Sequence, residues 1–259
     1  ISLGVLVAAM RDTTPRGAAL LAWLFALAWL TSGLWWLHIS MHQFGNIAWP
    51  VAALAVLLLA GALGLYYALA AWLWAIGRRG HPSLDALRFS ACWLAAELAR
   101  GMLFTGFPWL AGGYAHTDGL LAPAAPWIGV YGIGALAAWL SAVLALRAWR
   151  AAGLPLLLVG LVWIAPQEFT RSSGTLSVSL LQPNVPQDLK FDPEHLQRIL
   201  AWHEAALARA KGQLVVASES VIPLPLPALP ADAVAALRRP FAQGQRAALL
   251  GVFLGNERQ

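Results

Sequence analysis

Glu219 is the residue best placed for chemistry in this 259-residue sequence. It follows the apolar, β-branched run Leu214-Val215-Val216-Ala217, which reads as a short buried strand. In open α/β sheets the carboxyl ends of strands carry the chemistry, and an acid there is a candidate general base. Position alone favours a solvated loop acid, and Pro223 is expected to stop further ladder pairing. A second candidate is the pair Glu97 and Arg100, three residues apart on one face of an apolar helix. Ionisable residues at membrane depth are costly and mark functional sites by default. The plainer reading is a structural ion pair near the helix end that positions the loop after it. His38, His42 and His116 lack the ligand set a metal needs and read as interfacial residues. His195 and His203 read as surface or face-edge residues of a later helix. The single cysteine, Cys92, excludes a disulfide framework or a Cys-based zinc cluster. It lies in an apolar helix and reads as a packing residue.

These residues are carried by two kinds of chain. The sequence is 59% hydrophobic and 11% charged, whereas soluble domains carry about 25% charged residues. Thirteen of the 14 tryptophans precede residue 170; the other is Trp202. Tryptophan favours membrane interfaces, so the chain divides near residue 170. The first part, 1–170, is expected to be a helical membrane domain. A partial span covers 1–10, and full spans cover about 17–40, 49–76, 84–104, 123–149 and 154–168, judged against the ~20 residues a crossing helix needs. Between the third and fourth full spans lies a glycine- and aromatic-rich connection, Thr105 to Leu121. Gly132-Ile133-Gly134 sits inside a span and suits close helix packing better than phosphate binding.

Parity gives the topology. Arg11, Arg16, Arg78, Arg79, Arg88, Arg147 and Arg150 fall on one side, and only Arg100, with His38, His42 and Asp118, on the other. Cationic loops stay cytoplasmic, so residues after about 170 are expected outside the cytoplasm. The formal charge of +5 does not indicate nucleic acid, because no basic cluster is interleaved with aromatics.

The second part, 171–259, reads as alternating strands and helices. Leu176, Val178 and Leu180 alternate with Ser177, Ser179 and Leu181 in a strand. Asp192 and Pro193 start a helix with Leu196, Ile199, Leu200, His203 and Leu207 on one face, and Lys211-Gly212 closes it. The strand before Glu219 follows, then a proline-rich connection. A helix capped by Asp232 runs through Phe241, and a strand covers Ala247 to Leu254. This order implies a largely parallel sheet covered by helices. The chain opens on Ile1 within an apolar run and closes just after one, the pattern expected of a piece of a longer protein.

Two sets of residues resemble the bacterial apolipoprotein N-acyltransferases of the nitrilase superfamily. One set is Leu180-Leu181-Gln182-Pro183-Asn184-Val185-Pro186-Gln187, Lys190-Phe191-Asp192 and Ser218-Glu219-Ser220-Val221-Ile222-Pro223. The other is Glu97 to Gly101, Thr105 to Leu110, Gly113-Tyr114, Asp118-Gly119 and Trp36 to Gly45. The resemblance implies a multi-pass inner-membrane enzyme whose membrane domain is followed by the first part of an αββα nitrilase-like domain on the periplasmic side. It implies transfer of an acyl chain from a phospholipid donor to the α-amine of a diacylglyceryl-cysteine apolipoprotein, through a thioester on a cysteine. Membrane lipid is the surrounding partner, and no cofactor, metal or nucleic acid is implied. Glu219 matches the glutamate of the family's Glu-Lys-Cys triad and takes the role of general base. Lys190, Lys211 and Cys92 match neither other member, which leaves this stretch inactive by itself. Ala217-Ser218 stand where the family has Trp-Pro before the glutamate. The competing readings are a membrane-anchored nitrilase-type amidase and a non-enzymatic transporter or receptor with an extracytoplasmic binding domain. Few intramembrane charges beyond Glu97 and Arg100 argue against ion-coupled transport.

Overall fold

A computed structural model of the chain describes every residue except 167, 187–188, 190–192, 220–221 and 256–259. The described residues fall into two compact units, Ile1–Phe169 and Thr170–Gln259.

The first unit is helical. α1 spans Ser2–Met10 and α2 Pro15–Leu34. Thr14 caps α2 by accepting from the Gly17 amide, and Pro15 occupies the first turn, where its missing N–H costs nothing. The apolar stretch then continues as α3, Trp36–Ile39, and a π-helical turn, Ser40–Phe44. His42, just beyond the span expected at about 17–40, therefore lies in helical backbone, and the chain leaves the helix at Gly45. α4 spans Trp49–Gly77 and α5 Pro82–Met102. α6 spans Ala125–Ala145 and α7 Gly153–Ile164.

Small residues let these helices approach. α2 buries Ala18, Ala22 and Ala26 at a four-residue spacing, and α4 buries Ala52, Val56 and Ala60. Trp23 Nε1 crosses to donate to Gly61 O at 2.9 Å. The outward faces are equally apolar: Leu20, Leu54, Leu58, Leu65 and Leu69 are all exposed. A helix apolar all round belongs in a membrane or a large core. Among the described residues, three helical stretches are long and apolar enough to cross a bilayer: Pro15–Leu34, Trp49–Gly77 and Ala122–Ala145. α5 has the length but carries Asp85, Arg88, Glu97 and Arg100. α7 has 12 residues, a length of roughly 18 Å at helical rise.

The stretch 123–149 is not one helix. A 3-10 turn, Ala122–Ala124, leads into α6, which kinks at Gly129 (φ 62°) and ends at Ala145. Arg147 takes a positive φ and Trp149–Ala151 form another 3-10 turn. Of the two glycines expected to permit close packing, Gly134 does so, whereas Gly132 meets only Ile128 of its own helix. Gly134 lies against the backbone of Gly113, and a Cβ on Gly113 would overlap the Val130 carbonyl.

The second unit is built on parallel strands. β1 spans Val178–Leu181, β2 Leu214–Ala217 and β3 Ile222–Pro225; β4 spans Ala247–Leu249 and β5 Val252–Phe253. β1, β2 and β4 form one parallel sheet with β2 in the centre, and β3 and β5 form a second parallel pair. α8, Pro193–Arg209, and α9, Ala231–Arg238, join them. Val215, Ala217, Leu207, Ile222 and Leu237 make a common core.

Four expectations are corrected here. Pro223 does not end pairing: β3 pairs through Ile222 and Pro225, and the register is irregular between them, the position where a strand tolerates proline. The apolar stretch 247–254 is two strands in two sheets. Asp232 lies in the first turn of α9 rather than capping it, since the cap position is Pro230. His203 is fully buried, not a surface residue. The helix start assigned to Asp192 lies outside the described residues. The apolar set Leu176, Val178 and Leu180 is exposed, Leu176 lying before β1, and the partly buried positions of β1 are Ser179 and Leu181.

Candidate functional site

The backbone explains how the two motifs of the second unit meet. β1 and β2 run parallel, with Leu181 opposite Ala217. The chain therefore leaves both strands at the same sheet end, carrying Gln182–Val185 from one and Ser218–Glu219 from the other. A groove of about 470 Å³ opens there, lined by Leu181, Gln182, Pro183, Asn184, Ile199 and Ser218 among others. Asn184 adopts the left-handed conformation (φ 52°), which its short polar side chain tolerates. Glu219 follows the groove wall in a turn and is exposed. Ser220 and Val221 lie outside the described residues.

A carboxylate at this position can accept a proton from a group held over the strand ends. It has no hydrogen bond or ion pair among the described residues. Neither Lys190, Lys211 nor Cys92 is expected to partner it. Lys190 lies outside the described residues, Lys211 is exposed beyond α8, and Cys92 belongs to α5 of the other unit.

His203 sits on the buried face of α8, between Ile199 and Leu207. Its Nδ1 is 2.7 Å from the Ile199 carbonyl, and its Nε2 has no partner among the described residues. Burial holds its imidazole below the ordinary range, and the Ile199 carbonyl opposes that only in part. A neutral, positioned ring fits this setting, with Nδ1–H donating to Ile199 O.

In the first unit, the Glu97–Arg100 pair is almost wholly buried, with Arg100 Nη2 3.3 Å from Glu97 Oε2. Tyr67 of α4 completes it. Its hydroxyl donates to Glu97 Oε1 at 2.6 Å and accepts from Arg100 Nε at 3.0 Å. The remaining donors go to the following loop. Arg100 Nη1 donates to Phe107 O and Trp109 O, each at 2.6 Å, and the Gly112 amide donates to Glu97 Oε2 at 3.3 Å. The pair thus performs the loop-positioning task expected of it. Sequence reasoning missed Tyr67, although a tyrosine inside an apolar span is itself a sign of a buried polar partner.

The opposite end of the bundle has its own cationic cluster. Arg78 donates to the carbonyls of Met10, Arg11 and Thr13, which ties the α1–α2 turn to the α4–α5 turn. Arg88 bridges Asp85 and the Gly77 carbonyl at 3.0 and 2.9 Å. Arg11, Arg78 and Arg88 therefore gather at one end, as parity requires.

The histidines of this unit do not converge on a metal, and no group of three His, Cys, Asp or Glu side chains suited to one exists among the described residues. His38 is buried and stacked on Trp35, with centroids 4.6 Å apart, and His42 Nδ1 meets the Ile47 carbonyl at 2.8 Å. Burial holds His116 below the ordinary imidazole range.

A family model described as the apolipoprotein N-acyltransferase N-terminal domain matches residues 1–143. Among similar curated proteins, the apolipoprotein N-acyltransferase of Verminephrobacter eiseniae is 46% identical over 93% of this chain and 48% of its own length. The protein of the same name from Ralstonia nicotianae is 42% identical over 92% of this chain and 48% of its own. That of Azotobacter vinelandii is 37% identical over 86% and 46%. The chain thus spans about half the length of the curated relatives it matches.

Proposed function

Because the chain belongs to the apolipoprotein N-acyltransferase family, we propose that it forms the membrane domain and the first part of the catalytic domain of such an enzyme. The reaction moves an acyl chain from a phospholipid to the N-terminal amine of a diacylglyceryl-cysteine apolipoprotein. In this reading the nucleophilic cysteine and the lysine come from outside residues 1–259, and Glu219 is the general base. Glu219 takes the thiol proton as the thiolate attacks the donor ester. The proton passes to the lysophospholipid alkoxide as it leaves, and a thioester remains on the enzyme. Glu219 then takes a proton from the acceptor amine as the amide forms, and that proton returns to the departing thiolate. The lysine stabilises the oxyanion of each tetrahedral intermediate. No cofactor takes part.

The observation that carries this reading is the parallel pairing of β1 with β2, which puts the Gln182–Val185 segment beside Ser218–Glu219 over one groove. An αββα architecture is supported by the uncovered sheet face. Val178, Leu180, Leu214, Val216, Ala247 and Leu249 share it by register, and two packed sheets bury such faces against each other. Ala217-Ser218, where the family has Trp-Pro, keep β2 paired through Ala217.

We place the second unit on the periplasmic side of the inner membrane. The gathering of Arg11, Arg78 and Arg88 at one end of the bundle supports a cytoplasmic location for that end. The orientation also requires crossings by 84–104 and 154–168, and the buried pairing of Glu97 with Arg100 removes the main charge cost of the first. In the full-length protein, Glu219→Gln is expected to abolish the acyl-thioester while membrane insertion is retained. Parent-level thioester from that variant would remove Glu219 from the mechanism.

A further inference from the structure

The loop after α5 is held in a costly shape. Phe104, Thr105 and Leu110 all take positive φ values of 54°, 72° and 59°, and none is glycine. Such conformations persist only where surroundings over-determine them, and they concentrate at functional sites. The surroundings here are specific. A Cβ on Gly106 would overlap the Gly101 carbonyl, and Leu110 packs where Gly33 leaves space on α2. The Phe107 amide donates to the Arg100 carbonyl at 2.7 Å. The Arg100 guanidinium spends one nitrogen on both Phe107 O and Trp109 O.

A buried ion pair is weak evidence for stability, because apolar residues of similar size often serve as well. A simple helix connection needs neither the pair nor the strain. What the arrangement does achieve is the display of Leu103, Phe104 and Trp109, which are 53%, 92% and 55% exposed. They continue the apolar outer surface of α5, where Met102 is 72% exposed. The loop therefore extends the lipid-facing surface of the bundle at the end opposite its cationic cluster.

We propose that Arg100, fixed by Glu97 and Tyr67, is a positioning residue that locks this loop so that Phe104 and Trp109 receive the acyl chains of the phospholipid donor. The lipid half of the proposal rests on the acyl-transfer reading above; the locking half does not. Tyr67 sets the guanidinium angle and Glu97 neutralises it; the arginine fork puts one nitrogen on Tyr67, one on Glu97 and the third on both carbonyls, which the single nitrogen of a lysine cannot do.

The test uses the full-length protein with two independent readouts. Hydrogen exchange of the 103–113 peptide reports locking without reference to activity. Arg100→Lys keeps the charge opposite Glu97 but loses the fork, and should speed exchange there at least tenfold; Tyr67→Phe, a smaller perturbation, should do so severalfold. Acyl transfer in mixed micelles, with phosphatidylethanolamine as the varied donor and a diacylglyceryl peptide as saturating acceptor, reports the lipid contact. Arg100→Lys should raise the donor KM at least tenfold with kcat within twofold of the parent. Phe104→Asn, whose side chain tolerates the left-handed backbone, should raise the donor KM similarly while leaving exchange unchanged. Unchanged exchange in both Arg100→Lys and Tyr67→Phe would overturn the lock. A faster-exchanging loop with an unchanged donor KM, or a loss confined to kcat, would overturn the lipid contact. A full-length parent without acyl transfer would overturn the reading on which the lipid contact rests, and the exchange result would still decide the lock.

Discussion

Arg100→Met is the most informative single change for the energetics of the membrane unit. The substitution keeps much of the side-chain volume and removes the guanidinium. Glu97, 1% exposed, is left as a buried carboxylate whose one remaining side-chain partner among the described residues is the Tyr67 hydroxyl. Breaking a buried pair from one side costs about 3–5 kcal/mol, because the other charge is stranded. The double variant Glu97→Leu with Arg100→Met strands no charge. It leaves the Tyr67 hydroxyl and the carbonyls of Phe107 and Trp109 without these partners, and those carbonyls are only partly buried. An unsatisfied buried polar group costs about 1–3 kcal/mol, so the double variant should lie about 1–3 kcal/mol below the parent. It should also lie roughly 2 kcal/mol above the single variant. Adding Tyr67→Phe removes the last stranded hydroxyl and should recover about a further 1 kcal/mol. Denaturant-titrated unfolding in detergent micelles, followed by far-UV circular dichroism, gives the order. A single variant no less stable than the double would refute the claim that Glu97 is held by charge pairing.

Other outcomes follow from named contacts. A Cβ at Gly113 would overlap the Val130 backbone carbonyl, whereas one at Gly101 meets the movable Tyr131 hydroxyl. Gly113→Ala should therefore destabilise the unit by about 2–3 kcal/mol, and Gly101→Ala by less, within the range for overpacking; the same unfolding assay ranks them. Gly106→Ala adds a left-handed φ of 80° to a collision with the Gly101 carbonyl and should speed hydrogen exchange across 103–113. His203 is buried with its pKa below the ordinary 6.5, so below that pH the unfolded state binds more protons than the folded state. Stability of the second unit should fall as pH drops from about 6.5 toward 5. Hydrogen exchange of α8 amides, corrected for intrinsic rate, should show that slope in the parent and a shallower one in His203→Leu.

Much of the helical unit was legible because apolar length is a strong signal. The boundary expected at 49–76 became α4 at Trp49–Gly77. The strand Leu214–Ala217 was also found as read, since a β-branched run bounded by polar residues has few other uses. Long-range pairing was not legible. Whether 247–254 serves one sheet or two depends on which strands lie beside it, and no local pattern records that. Pro223 misled because proline excludes regular pairing but not an irregular edge. The burial of His203 was readable after all. It falls four residues from both Ile199 and Leu207, the spacing of one helical face, although its polarity favours the surface. At the candidate site, the position of Glu219 at a strand end came from the sequence. Its proximity to Gln182–Val185 required the parallel register of β1 and β2.

The central claim is that Glu219 is the base that loads an acyl chain onto the enzyme. The direct measurement is acyl-thioester formation by the full-length protein given radiolabelled phospholipid, with the adduct released by hydroxylamine. The parent should accumulate label that hydroxylamine removes, and Glu219→Gln, inserted into the membrane at the same level, should show none above background. Label at the parent level in Glu219→Gln would contradict the account.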